Sequence, residues 1–341
     1  MPAEDGRLGT LLISFSSIGE QAHQKTMYVP VLANHPALRV VAVADEASAP
    51  EHQHALNRRE AEALHLPYVA DLETALADPA VDVVSVCCPL ERRVAVLERV
   101  AAAGKHALVD KPLAASAADC QAIGRAFDQL VCMPAHHYRF QPALRSARAA
   151  VAGGTIGLPW AVHAEFVIAS GTAAWPLGEL LNFGLYPVDA IRAVLGLEAR
   201  SVYATRGSYF YGGADDFAVL AMTFERGVIA TTSVGRAPTR GHPNGYGGDR
   251  RMRIMGSHGT LVVDAAAPAL SVYADGRAEH RYYGGHSVRA LVDHFVAAVR
   301  GREAPEIGPE DARAVLEIIH AAALAADENR AVELNGGMLR T

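Results

Sequence analysis

Short apolar runs rich in valine and isoleucine alternate with longer stretches of helical periodicity through the first part of the chain. "GTLLISFSS" reads as a buried strand and "IGEQAHQKTMYVPVLANH" as a helix, and "LRVVAVAD" with "ASAPEHQHALNRREAEALH" repeats the pair. After "PYVADLETALAD" come the strand "AVDVVSVCCP", the helix "LERRVAVLERVAAAGK" ending on Gly104, and the strand "KHALVDKPL". Continuous apolar strands alternating with helices predict a parallel sheet covered on both faces. Ligands of such sheets sit at the carboxyl ends of the strands, where Ser14 to Gly19, Asp45, Cys88-Pro89 and Asp110 to Pro112 converge.

The pattern changes near Val131 to Ala135. From there successive strands follow without alternating helices: "PWAVHAEFVIAS", "RSVYATRGSYF", "DDFAVLAMTFERG", "VIATTSVGRA", "DRRMRIMG", "TLVVDAA" and "ALSVYADG". The fold class is therefore α/β, a doubly wound parallel sheet over 1–134 followed by an α+β domain over 135–341 with a large, mostly antiparallel, open-faced sheet. Helices at about 179–195, 286–300 and 309–327 are expected to cover one face of that second sheet and leave the other for pairing with another subunit.

Composition narrows the function. A chain of 341 residues accommodates two domains with sizeable cores, and a net charge of -6 offers no basic field for nucleic acid. "MPAEDGRLGT" lacks the basic and apolar regions of a signal peptide, and no apolar run is long enough to span a bilayer, so a cytoplasmic protein without a membrane partner is expected. Cys87, Cys88, Cys120 and Cys132 read as small buried hydrophobes. The histidines lack ligand spacing on one helix face, and no metal site is expected.

Asp45 closes the second strand, where a carboxylate accepts hydrogen bonds from an adenosine ribose and repels a 2'-phosphate; NAD is the expected cofactor. The first turn reads Ser14-Phe15-Ser16-Ser17-Ile18-Gly19 in place of G-x-G-x-x-G and keeps only the last glycine. Ser16 either crowds the pyrophosphate with its Cβ or donates its hydroxyl to a phosphate oxygen. Lys111, at the end of its strand and followed by a proline, stands at the mouth of the sheet.

The order of these motifs resembles the Gfo/Idh/MocA family of NAD(P)-dependent oxidoreductases, which includes glucose-fructose oxidoreductase and inositol dehydrogenases. Asp110-Lys111-Pro112 stands for the family's Glu-Lys-Pro, and Cys88-Pro89-Leu90 for its Thr-Pro-Asn. Arg139-Phe140-Gln141-Pro142 matches its Arg-Phe-x-Pro, and Asn182-Phe183-Gly184-Leu185-Tyr186-Pro187-Val188-Asp189 its Asp-x-Gly-x-His-x-x-Asp helix. The stretches "RIMGSHGTLVVD" and "GPEDARAVLEIIHAAALAADENRAVEL" carry the likeness to the end, so it covers nearly the whole chain.

That resemblance implies a Rossmann first domain, with Ser14 to Gly19, Asp45, Cys88, Pro89, Leu90, Arg93, Asp110 and Lys111 around the cofactor. It makes Lys111 and Tyr186 the catalytic pair, Tyr186 standing where many members have histidine. Arg139, Trp175, Asn182 and Asp189 are then the substrate-side residues; Asn182 replaces the usual aspartate, Arg139 equally suits a carboxylate anchor at the domain junction, and Asp189 equally suits a brace of its own helix. The implied reaction is hydride transfer to or from a secondary alcohol or ketone of a sugar, cyclitol or related polyol, in a homodimer or homotetramer built through the second sheet. An NAD-retaining lyase or hydrolase, or a non-catalytic ligand sensor, is the alternative within the family.

Overall fold

The computed structural model describes residues 6–16, 22–169, 175–237, 248–335 and 338–339. The chain divides into two compact units, Met1–Ala135 with Val288–Arg313, and His136–Ser287 with Ala314–Thr341. A single cut at 134/135 does not describe this division. The segment Val288–Arg313, which includes most of the helix Ser287–Val299, clusters with the first unit, although the sequence assigned it to the second domain.

Among the described residues, the first unit contains Leu8–Ile13 (β1), Leu38–Ala44 (β2), Tyr68–Val69 (β3), Val83–Val86 (β4), His106–Val109 (β5) and Cys132–Pro134 (β6). All pair in parallel, in the order β3-β2-β1-β4-β5-β6. Every residue of β4 is buried, and β1 is buried after its first residue, as strands covered on both faces must be. The helices Glu51–Ala63 and Leu90–Ala102 fall where periodicity places them, and a further helix, Ala117–Ala126, follows β5. Ser116 caps the last of these by accepting from the Asp119 amide at 3.1 Å. The strand order reverses between β1 and β4, which is where sheets of this kind hold ligands.

The second unit is built on Pro159–Ala169 (β7), Ala199–Gly207 (β8), Phe217–Phe224 (β9), Ile229–Ala237 (β10), Asp249–Gly256 (β11), Gly259–Asp264 (β12), Ala269–Ala274 (β13), Arg277–Tyr282 (β14), Val332–Asn335 (β15) and Met338–Leu339 (β16). Their order is β14-β13-β12-β11-β7-β10-β9-β8-β15-β16, and β7 with β10 is the parallel pair in an otherwise antiparallel sheet. In β9 buried and exposed residues alternate, so one face enters the core and the other meets solvent. β14 was not legible in the sequence because all six of its residues are exposed and none forms an apolar face.

The helix expected at 179–195 is two, Glu179–Phe183 and Leu185–Leu195. Pro187 has no N–H to give the Phe183 carbonyl, which breaks the ladder at this junction. Gly184 fits there because a Cβ would lie 2.3 Å from the Leu180 oxygen and 2.7 Å from Ile319 Cδ1. Among the described residues no helix is long and apolar enough to cross a membrane, and no group of His, Cys, Asp or Glu could hold a metal ion.

Candidate active site

The turn after β1 begins in a conformation that ordinarily calls for glycine. Ser14 has φ +64° and is buried. Side chains from one face of the helix Glu51–Ala63 brace it: Gln53 Nε2 donates to Ser14 Oγ at 3.1 Å, and Asn57 Oδ1 accepts the Phe15 amide at 2.8 Å. Ser16 donates its hydroxyl to the Cys87 carbonyl at the end of β4, so this hydroxyl is already engaged within the protein. Phe15 is buried, while Ser17, Ile18 and Gly19 lie outside the described residues.

Asp45 ends beside this turn and is 0% exposed. Asn57 Nδ2 donates to its Oδ2 at 2.8 Å, and its Oδ1 accepts from the Glu46 amide at 2.9 Å and from Arg92 Nη1 at 2.9 Å. Arg92 Nη1 also reaches Glu46 Oε2 at 2.8 Å, and Arg99 pairs with Glu46 Oε1 at 3.0 Å. The carboxylate expected to face a ribose is thus present at the right strand end, held by partners of the protein's own. Two carboxylates and a guanidinium whose Nη2 has no acceptor among the described residues fit the adenosine end of a dinucleotide.

Arg92 and Arg93 are adjacent on the helix Leu90–Ala102, about 100° apart around its axis, and do different work. Arg93 was expected at the cofactor. It is instead buried and donates to three backbone oxygens, those of Cys88 at 2.7 Å, Asp110 at 2.8 Å and Pro112, tying the ends of β4 and β5 together. Cys88 is also buried, and burial pushes its thiol up to about 11, so its side chain is an inert apolar group. Pro89 and Leu90 begin the helix between these two arginines and that strand end.

Asp110 accepts from Tyr28 Oη at 2.6 Å and lies 3.1 Å from His23 Nδ1. Burial by itself would raise its pKa, but the charge and hydrogen bond of His23, with Arg93 and Lys111 nearby, hold it below the usual carboxylate range. Lys111 follows at 1% exposure, with a cis bond to Pro112. A lysine so thoroughly buried is not the solvated surface lysine that residue type alone suggests.

In the second unit Tyr186 is 6% exposed and stacks on Phe166, with ring centroids 4.9 Å apart, and the His137 ring meets it edge-on at 5.2 Å. Four residues earlier, Asn182 donates to Glu179 Oε2 at 2.8 Å. Glu179 Oε1 accepts from Arg236 Nε and from the Trp175 amide, both at 2.9 Å. A buried carboxylate thus stands beside Asn182 after all, supplied by Glu179 and balanced by Arg236. Trp175 is half-buried at the edge of this group.

Arg139 and Asp189, each open in the sequence between a substrate contact and a structural role, are each other's partners. Arg139 Nε and Nη2 donate to Asp189 Oδ2 at 2.8 Å and Oδ1 at 2.6 Å, and His136 Nδ1 lies 3.1 Å from Oδ1. Burial would raise the Asp189 pKa, but the Arg139 charge and His136 carry it below the ordinary range. The anchor reading of Arg139 is the one this geometry supports, and Asp189 braces its helix. Sequence reasoning missed Asn57, Gln53, Glu46, Arg92, His23, Tyr28, Glu179 and Arg236. The four-residue spacing of Gln53 and Asn57 and the closeness of Glu46 to Asp45 and of Glu179 to Asn182 were usable signals; Arg92, His23, Tyr28 and Arg236 lie far in sequence from what they touch.

Two family models match the chain: one described as the oxidoreductase family with an NAD-binding Rossmann fold over residues 18–136, and one described as the GFO/IDH/MocA C-terminal domain over 144–262. Among curated relatives, a myo-inositol 2-dehydrogenase of Thermotoga maritima is 26% identical over 76% of this chain and 81% of its own length. A D-xylose 1-dehydrogenase (NADP(+)) of Haloferax volcanii is 27% identical over 97% of this chain and 99% of its own. The solved structure of an aldose-aldose oxidoreductase from Caulobacter crescentus, complexed with glycerol, superimposes with a TM-score of 0.79 at 23% identity over 96% of this chain and all of that one, a likeness of fold. With the Rossmann strand order, the buried Lys111 at the end of β5 and both halves matched, the chain belongs to the Gfo/Idh/MocA family and is an NAD(P)-dependent oxidoreductase.

Proposed function

We propose that the protein is an NAD-dependent dehydrogenase or reductase for a secondary alcohol or ketone of a sugar, cyclitol or similar polyol. The observation that carries this reading is Lys111, a buried ammonium at the carboxyl edge of a β3-β2-β1-β4-β5-β6 sheet whose second strand ends in a carboxylate, Asp45. The names of the relatives, an inositol and a xylose dehydrogenase, support a polyol substrate. One of those names specifies NADP, so the preference for NAD rests on Asp45 and Glu46.

The turn at Ser14 to Gly19, Asp45 and the strand end at Asp110-Lys111 are the residues that would hold the dinucleotide, whose nicotinamide, when bound, supplies or takes up the hydride. The chain itself must manage the substrate oxygen. Lys111 Nζ hydrogen-bonds that oxygen and stabilises negative charge developing on it; Tyr186 Oη moves the proton to or from it. Asn182 offers a neutral amide for a neighbouring hydroxyl, and Trp175 a flat apolar surface for a ring.

The test combines binding and turnover. Fluorescence titration should show NADH binding more tightly than NADPH. On a polyol that the protein oxidises, Lys111→Met and Tyr186→Phe should each lower turnover at least about a hundredfold, the lower range for a lost general acid or electrostatic partner, and Tyr186→Phe should leave cofactor affinity little changed. Near-parent turnover by both variants would refute the site.

A further inference from the structure

The adenosine end of the parallel sheet carries more than the carboxylate that favours NAD. Asp45 is fully enclosed, yet one of its oxygens is held by a guanidinium that is not: the Arg92 side chain is 19% exposed. Its Nη1 bridges Asp45 and Glu46 at 2.9 and 2.8 Å, while its Nη2 is buried with no acceptor among the described residues. Arg99 takes the other Glu46 oxygen. Two negative charges therefore face two positive ones, and the repulsion that a lone carboxylate exerts on a 2'-phosphate is offset. A guanidinium is moreover a two-pronged donor suited to phosphate, and one prong of this one has no acceptor among the described residues.

We propose that Arg92 is the specificity-determining residue for the cofactor: it narrows the preference for NAD by balancing Asp45 and Glu46 and by offering Nη2 to a ribose 2'-phosphate. This rests on the dinucleotide reading above. On this account the pair Asp45–Arg92 works as a divided site. A ribose 2'-hydroxyl competes with Arg92 for Asp45, whereas a 2'-phosphate engages Arg92 and leaves Asp45 to Asn57 and the Glu46 amide. Those same two contacts remain when Arg92 is replaced, and Glu46 retains Arg99, so the strand end keeps partners in the variant.

The experiment is titration of the full chain with NADH and with NADPH, for the parent, Arg92→Gln, Arg92→Lys and Glu46→Gln, with thermal melts of each. Arg92→Gln should weaken NADPH by about tenfold or more, the scale of one charge-assisted hydrogen bond, and change NADH by less than about threefold. Arg92→Lys, which keeps the charge and loses the fork, should fall between. Glu46→Gln removes a counter-charge and should move the ratio the other way, toward NADPH. Equal weakening of both dinucleotides by Arg92→Gln would make Arg92 a brace and overturn the proposal. If that variant melts before titration, an unchanged ratio in the other two does the same. Should the parent bind neither dinucleotide, the functional reading itself falls, a result distinct from a fixed ratio in a protein that binds both.

Discussion

Asp110 and Asp189, one in each unit, are alike in residue type, burial and histidine contact, and both are held below the ordinary carboxylate range. They differ in what neutralises them. Asp189 takes both prongs of the Arg139 guanidinium, a closed pair that ties the helix Leu185–Leu195 to the short helix His137–Phe140. Asp110 takes a phenol and an imidazole, because the arginine nearest to it, Arg93, gives its hydrogens to backbone oxygens. The charge of Asp110 therefore stands one residue from Lys111 with no guanidinium hydrogen-bonded to its carboxylate among the contacts described. A buried carboxylate in a family motif is, on this comparison, a structural brace when a fork answers it and part of a lysine's surroundings when it does not.

The largest effect should come from breaking the fork. Asp189→Ala removes the carboxylate that takes both prongs of the buried Arg139 guanidinium and should cost about 3–5 kcal/mol of unfolding free energy in urea titration. A loss under about 1 kcal/mol would mean that solvent reaches the pair on unpairing and that it is no brace. Breaking the softer site should cost less. Tyr28→Phe deletes one hydrogen bond to Asp110 while His23 remains, and a loss of about 1.5 kcal/mol is expected, the low end for a bond to a charged group. If Tyr28→Phe proved as damaging as Asp189→Ala, the contrast between the two carboxylates would vanish.

Acid gives a finer test. A carboxylate whose folded pKa is depressed contributes stability that is fully present above its unfolded value, near pH 4, and is lost as pH falls through the folded one. Urea midpoints of the parent should therefore hold from pH 7 to about 5 and fall below about 4. Asp189→Asn should lose less between pH 4 and pH 3 than the parent does, and a parallel decline in the two proteins would remove Asp189 from the acid transition.

Much of the site was legible because it lies at strand ends, and strand ends follow from apolar runs. Lys111 and Asp45 were found this way. Arg92 was not: the motif order pointed to its neighbour Arg93, and only the 47-residue separation closed by folding puts Arg92 on Asp45. Arg139 and Asp189, 50 residues apart, were each open between a substrate contact and a structural role for the same reason, and their pairing was not legible.

The chain by itself determined the succession of a parallel and a mostly antiparallel sheet, the boundaries of their apolar strands to within a few residues, and the placing of Asp45, Asp110 and Lys111 at strand ends, since hydrophobic periodicity is local and each apolar element carries its own. Tertiary structure decided which charges answer one another, the exposed strand β14 and the clustering of Val288–Arg313 with the first unit. Periodicity states which face of an element is buried; it is silent on which distant side chain arrives within 3 Å of a given oxygen, and at a buried carboxylate that arrival sets both the charge and the role.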